Sequence, residues 1–392
     1  RSSDLPSEMV IYYLAAVCPQ KYYEILYPNG AVSPAYTFNK LLAEGLGSIE
    51  EIEVNCIVPK VVIDKLGVYQ TAEKENNINY IFVENRFKRA GYLGFLYSCM
   101  KLIREKSKSE KIILICDALS INFSILCVTM KIFYKYSNIA IVTDFPQYLG
   151  EKDKRTIGKI KDKFVMWLMR RYDRYILLTS AMGKIINAKL RPQCIIEGVC
   201  DTSAQNIFEN KDGIKICMYA GSLQIEYGIE ILVKSFLKAN VANAQLHIYG
   251  DGNYREQLEK ICEKYSQIVY CGVCPKKVIE EKEREATLLV NPRTSDGEYT
   301  KYSFPSKTME YMLSGTPVVM TRLPGLPQEY YKYLFLFEEE TVDGYAQTLK
   351  VLLEMDPSEL QRRGMAAQRF VLDNKNKEIQ AKKIVKELEL LL

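Results

Sequence analysis

The chain has 392 residues, 48% of them apolar, and a formal net charge of +5. That length exceeds one ordinary domain and supplies apolar side chains for two full cores. So small a charge over such a length excludes wholesale nucleic-acid binding and leaves room only for a local basic surface.

Eleven cysteines are scattered along the chain, most in apolar runs such as those around Cys116 and Cys127. An odd number in such settings reads as reduced, buried thiols of a cytosolic protein. The CGVC stretch at 271–274 has CxxC spacing, but no second pair exists and the single histidine, His247, lies in a strand pattern. A zinc site therefore lacks ligands. Pro275 follows the second cysteine, where a redox motif would continue its helix. No apolar run reaches the roughly 18–20 residues that span a bilayer. MVIYYLAAVC, at 9–18, has no basic flank or cleavage pattern and reads as a first strand rather than a signal peptide.

In chain order, strands are expected at MVIYYLAAV, IEVNCIV, INYIFV, KIILICD, IAIVTD, RYILLT and QCIIEG. Helical patterns lie between them at SPAYTFNKLLAEGL, LGFLYSCMKLIREK, SINFSILCVTMKIFYK and RTIGKIKDKFVMWLMRRY. A polar stretch with Gly198 and Gly213, residues 197–213, marks a boundary. Beyond it the alternation is more regular: IKICMYAG, IEILVKSFLKA, QLHIYG, YREQLEKICEKY, QIVYCG, KKVIEEKEREA, TLLVNP, a helix from Pro305, and PVVM. Short β-rich runs alternating with amphipathic helices predict α/β architecture with parallel sheets. Two doubly wound, Rossmann-like domains are expected, 1–200 and 201–375, with 376–392 a terminal helix returning to the first domain. Ligands of such sheets bind off the carboxyl ends of strands, so facing domains would place a central cleft between them.

Three loops of the second half are candidates. Gly221 and Ser222 follow IKICMYA, with Gly228 just ahead of the next helix; this is a tight turn or a phosphate loop. Gly250 and Gly252 follow QLHIY, either as a plain turn or as a close approach to a base or helix. NPRTSDGEYTKY follows TLLV and concentrates Arg293, Glu298 and Lys301 at a strand's carboxyl end. The helix after it carries Ser306, Lys307 and Glu310, with Met309, Met312 and Leu313 as its core stripe and Gly315 past its end. Ser306 and Glu310 lie about 6 Å apart along the axis, close to the span from a diphosphate to a ribose diol. The helix N-terminus, Ser306 and Lys307 would hold an anion, and Glu310 a pair of vicinal hydroxyls. The plainer reading is an N-cap serine and a surface ion pair between Lys307 and Glu310.

At these residues the chain resembles the family 4 glycosyltransferases, retaining enzymes of the GT-B fold. The resemblance rests on Gly221, on Gly250-Asp251-Gly252, on Asn291-Pro292-Arg293, and on Glu310 ahead of SGTPVV. It covers most of the second domain, and VSPAYTFNKLLAEGL, CDALS and VTDFP in the first are similar to a branch that builds bacterial capsules and exopolysaccharides. The chain departs from the pattern in three respects. Tyr302 stands where the first acid of the usual pair falls, which leaves Glu298 to stand in. Ser222 and Tyr227 replace the usual arginine and lysine, which leaves Arg293 and Lys307 as cations. Thr143 and Asp144 stand where the first domain usually has a histidine.

The resemblance implies transfer of a sugar from a UDP- or GDP-linked donor to a glycan or polyprenyl-diphosphate-linked acceptor, with retention. Gly221, Ser222, Gly250, Gly252, Arg293, Ser306, Lys307 and Glu310 would bind the nucleotide. Asp144, Glu298, Arg293 and Lys307 would serve the chemistry, and Ser33, Asp117 and Asp144 the acceptor side. No DxD-type motif is present, so neither metal nor other cofactor is expected. Two other classes remain open on the same fold: a UDP-sugar 2-epimerase and a non-catalytic nucleotide-binding protein.

Residues 150–175 and 85–108 are locally basic, and the only tryptophan, Trp167, lies in the first of these beside Phe164. Such helices either lie on an anionic bilayer, placing the protein on the inner face of the plasma membrane, or pack Phe164, Val165 and Leu168 on the sheet beneath a solvated basic face.

Overall fold

A computed structural model of the chain describes residues 9–26, 34–59, 71–84, 92–106, 111–148, 156–201 and 213–390. It divides into two compact units. The first runs to Val199 and regains the chain at Lys377; the second spans Cys200–Asn376.

The first unit is built on eight strands: β1 (Met9–Leu14), β2 (Ile52–Pro59), β3 (Ala72–Glu75), β4 (Ile78–Val83), β5 (Lys111–Asp117), β6 (Ser137–Val142), β7 (Arg174–Leu177) and β8 (Gln193–Ile195). Their order is β3-β4-β2-β1-β5-β6-β7-β8. Every residue of β1 is buried, as a strand covered on both faces by helices requires. All neighbours are parallel except β3, which pairs antiparallel with β4. The sequence pattern missed β3 because AEKE carries no apolar alternation; it is a polar edge strand with exposed and half-buried residues alternating. What forms it is the turn, where Asn76 and Asn77 both adopt left-handed φ, 47° and 62°.

The second unit has six parallel strands: β9 (Lys215–Ala220), β10 (Ala244–Tyr249), β11 (Ile268–Gly272), β12 (Leu288–Asn291), β13 (Val318–Thr321) and β14 (Phe335–Phe337). Their order, β11-β10-β9-β12-β13-β14, reverses direction between β9 and β12. A doubly wound sheet opens a crevice at the carboxyl ends of the strands flanking such a reversal. The loops at 221–228 and 292–305 therefore share one end of this unit.

Four helices escaped the periodicity: Gln20–Leu26, Ser180–Ile186, Val342–Glu354 and Pro357–Asn374. The last two follow β14 and carry clear caps, Thr341 accepting from the Gly344 amide and Asp356 from the Ser358 amide. The terminal helix, Lys377–Glu387, packs on the Pro34–Gly47 helix of the first unit. Lys377 Nζ reaches buried Glu44 at 2.9 Å, and a Cβ at Gly45 would sit 2.2 Å from the Lys377 carbonyl oxygen. All eleven cysteines are free thiols, eight of them buried, and burial pushes the Cys271 thiol up.

Candidate functional site

The loops at the reversal point of the second sheet pack backbone against backbone. The Gly221 amide donates to Tyr249 O at 3.0 Å, and the Leu223 amide to Asp251 O at 2.9 Å. A Cβ on Gly250, whose φ is 131°, would stand 1.8 Å from Gly221 O; one on Gly252 would stand 2.4 Å from the Leu223 carbonyl carbon. The close approach these two glycines permit is thus between the loops after β9 and β10. Ser222 is exposed, its carbonyl accepting from Tyr219 Oη at 2.8 Å. Gly228 opens the Ile229–Ala239 helix at φ 81°, and a Cβ there would lie 2.1 Å from Pro292 O. The first helix of this unit is therefore seated on the loop that carries Arg293.

That loop is held by side chains from outside it. Tyr345 Oη donates to Pro292 O at 3.3 Å. The Ser295 amide and hydroxyl donate to the two oxygens of Glu340 at 2.7 and 2.5 Å. Asn291 accepts from the Arg293 amide at 3.4 Å and donates to Thr308 Oγ1 at 3.2 Å, joining the loop to the following helix.

Arg293 lies between two aromatic rings, its Cζ 4.5 Å from the Tyr299 centroid and 5.5 Å from that of Tyr227. Its Nε is buried and has no hydrogen-bond partner. A desolvated donor left unpaired costs free energy, so this nitrogen is free to take a further acceptor. Tyr227, which occupies the place where the related pattern has a lysine, is one wall of this arginine's slot. Glu298 starts the short 3₁₀ turn Glu298–Lys301 and is exposed, with Tyr302 closing that turn.

The helix Ser306–Ser314 begins at Pro305, which is its N-cap and makes no side-chain bond. Ser306 is exposed and caps nothing, so one half of the plainer expectation fails. The other half is met: Lys307 Nζ lies 2.7 Å from Glu310 Oε2, with both side chains about one-third exposed (38% and 37%). Burial by itself would lower the Lys307 pKa, but Glu310, then Glu283 and Glu280, more than offset this and hold it above its ordinary value. The core side of the helix differs from the expected stripe. Met309 and Met312 are buried, but Leu313 is only half-buried, and Thr308 and Tyr311 take the remaining core positions. Tyr311 Oη donates to Ala220 O at 3.2 Å and accepts from the Ala220 amide at 2.8 Å, which fixes the helix to the end of β9. Gly315 takes the left-handed position past the helix at φ 78°.

Glu283, on the Lys276–Glu285 helix, was missed by the sequence reading. It is 2% exposed, and its Oε1 has no hydrogen-bond partner. Burial and then the nearby Glu310 carboxylate push its pKa up to about 8, with Lys307 pulling the other way. A signal existed: Ile279, Glu283 and Ala286 are spaced as one helix face, and a glutamate stands where that face calls for an apolar residue.

In the first unit, Asp117 ends β5 and Asp144 lies just past β6. These strands are parallel neighbours, so both acids follow adjacent strands at the carboxyl edge of the sheet. Both are half-buried. Burial pushes the Asp117 carboxyl up to about 6, although it accepts the Leu119 amide at 3.1 Å. Ser33 lies outside the described residues. His247 sits in β10, half-buried against Gln245, as its strand pattern required.

Two parallel α/β units of eight and six strands define the fold class, that of the GT-B glycosyltransferases. Residues 214–355 match the family model of the glycosyl transferases group 1. Sucrose-phosphate synthase of Thermosynechococcus elongatus superposes with a TM-score of 0.68 at 14% identity, over 98% of this chain and 99% of that one. The Anabaena protein HepE, solved with UDP and glucose, superposes at 0.61 and 12% identity, over 98% and 100%. An E. coli trehalose-6-phosphate protein bound to UDP-2-fluoro glucose gives 0.64 at 11%, over 98% and 99%. At these identities the likeness is one of fold. No curated protein sequence matches the chain.

Proposed function

We propose that the chain is a retaining glycosyltransferase of the family 4 type that moves a sugar from a nucleotide-sugar donor to a glycan or polyprenyl-diphosphate-linked glycan in bacterial surface polysaccharide synthesis. The observation that carries this reading is Arg293, a guanidinium held between two tyrosine rings with a buried Nε lacking an acceptor, at the reversal point of a sheet whose sequence matches the glycosyl transferases group 1. UDP is favoured over GDP because similar structures are described with UDP or a UDP-sugar bound.

In this reading Arg293, Lys307 and the amides of the Ser306–Ser314 helix take the diphosphate, the part of the donor whose charge grows most as the glycosidic bond breaks. Ser306, Ser222 and the backbone around Gly221, Gly250 and Gly252 border the nucleotide, and Glu310 accepts from the ribose hydroxyls. To do so, Lys307 exchanges its Glu310 contact for phosphate, which frees Glu310 for the ribose. Glu298 contacts the donor sugar. The first unit supplies acceptor recognition, with Asp117 and Asp144 as its polar groups. The anomeric carbon–oxygen bond to the diphosphate breaks, the acceptor oxygen bonds to the same face of that carbon, and the acceptor's proton passes to a diphosphate oxygen. No step calls on a metal.

The test is incubation with a panel of UDP- and GDP-sugars, with and without lipid-extract acceptors, alongside UDP titration by calorimetry. Transfer with retained anomeric configuration is the expected result. Interconversion of the donor sugar would replace the reading by an epimerase, and tight UDP binding with neither activity would make the chain a nucleotide-binding protein.

A further inference from the structure

The helix Thr156–Met169 packs beside Ile121–Tyr134 in the first unit. Its buried side carries Val165 and Leu168, at 3% and 2% exposure. The opposite side is not the solvated polar face such a helix ordinarily shows. Ile160, Phe164 and Trp167 project from it, exposed at 63%, 42% and 46%. Their spacing of four and three residues aligns them in one ridge. Phe164 and Trp167 stack, centroids 6.0 Å apart, and the Arg171 guanidinium lies 4.3 Å from the Trp167 centroid. The chain-packing alternative for Phe164 is thereby excluded, while Val165 and Leu168 do pack inward.

Charge flanks this ridge on both sides. Lys159, Lys161, Lys163, Arg170 and Arg171 are all exposed, and Asp162 is the one acid between residues 158 and 171. Next to the end of the helix, Lys131 ties the two helices together through the Arg171 carbonyl at 2.7 Å and Asp173 at 2.5 Å. The same neighbouring helix also carries exposed Ile132 and Phe133, at 66% and 72%. Three large exposed apolar side chains aligned on one helix face exceed the scattered exposure of an ordinary surface.

We infer that this face docks on an anionic lipid bilayer. An apolar ridge of one aliphatic and two aromatic residues, edged by lysines and arginines, suits the boundary between acyl chains and acidic headgroups. Long basic side chains keep their charge at headgroup level while their stems cover apolar surface, and Trp is the residue best suited to that boundary. Among the described residues no helix is long and apolar enough to cross a membrane. The inference gives a reason for the lipid-linked acceptor proposed above, but its evidence and its test are separate from transfer.

Because Trp167 is the only tryptophan, its emission reports this face alone. The experiment is flotation of the purified chain with vesicles of phosphatidylcholine plus phosphatidylglycerol, against phosphatidylcholine alone, with Trp167 emission read in parallel. The expected result is flotation with the anionic vesicles only, and a blue shift of Trp167. Lys159→Gln with Lys161→Gln and Lys163→Gln should weaken binding roughly a hundredfold. Ile160→Ser with Phe164→Ser should weaken it about tenfold or more. Both variants change exposed side chains, and circular dichroism confirms their folding. Absence of flotation, or flotation with unchanged Trp167 emission, overturns the inference and leaves the ridge to an acidic protein or a second copy. Vesicle binding by a chain that transfers no sugar would defeat the transferase reading and leave this one standing.

Discussion

Lys307 and Glu310 pair at 2.7 Å across one turn of the Ser306–Ser314 helix, each about one-third exposed. The cation and the ribose acceptor of the proposed nucleotide site are thus within contact distance of each other. An exposed pair of this kind contributes at most about 1 kcal/mol to stability. Lys307→Ala should therefore leave the melting temperature close to that of the parent. Transfer should fall by about a hundredfold or more, as loss of one charge-stabilising donor does elsewhere. Near-normal transfer in this variant would remove Lys307 from the phosphate role.

Arg293 offers a test that separates charge from shape. Lysine keeps the charge but has neither a planar group to lie between Tyr227 and Tyr299 nor an Nε donor. Arg293→Lys should weaken UDP binding about tenfold or more, measured by calorimetry, with Arg293→Ala weaker still. If Arg293→Lys binds UDP as the parent does, the sandwich is packing and the orphaned Nε awaits nothing.

Gly228 couples stability to the site. Its φ of 81° and the Pro292 oxygen 2.1 Å from a Cβ leave no room for a side chain. Gly228→Ala should cost about 2–4 kcal/mol in denaturant unfolding and, through the displaced Pro292–Arg293 backbone, weaken UDP binding by the folded protein. Gly272 is the control: its φ is 70° with nothing within 4 Å, so Gly272→Ala should cost only about 1 kcal/mol and leave binding intact. Equal losses of binding in both variants would break the link between Gly228 and the Arg293 loop.

Sequence pattern was sufficient where one residue's chemistry acts locally. The alternation of apolar runs announced both parallel sheets, and Gly315 sits in the left-handed position its place past a helix required. Pattern failed where structure depends on a partner remote in the chain. Strand β3 exists because two asparagines turn it onto β4, not because AEKE is apolar. Gly250 and Gly252 were legible as glycines at a strand end, but their neighbours, Gly221 and Leu223, are nearly thirty residues earlier. The Arg293 slot was half legible: the arginine stood out in a charged loop, whereas the Tyr227 wall and the Glu340 anchor come from other loops. Ser306 misled because helix-start statistics favour a capping serine, and here Pro305 takes that place.

Glu283 yields the pH-dependent prediction. Its pKa is raised from the ordinary 4.5 to about 8 by burial first and then by the Glu310 carboxylate, with Glu280 adding to the rise and Lys307 and Lys276 opposing it. The folded protein therefore binds this proton more tightly than the unfolded chain. The stabilisation is fully present below 4.5, is lost as pH climbs to about 8, and is gone above it. Glu283→Gln, which cannot ionise, should grow more stable relative to the parent across that window, by on the order of a few kcal/mol at its upper end. Thermal melts of the two proteins at matched pH check this, since other titrating groups cancel in the difference. Above pH 8 the parent adds to Glu310 a second negative charge near Lys307, this one buried, which competes with a diphosphate for it. UDP affinity should then fall in the parent and hold in Glu283→Gln. A stability difference that does not change with pH would show that Glu283 is already ionised in the folded state, and a parent whose UDP affinity is also flat would show that this carboxyl does not reach Lys307.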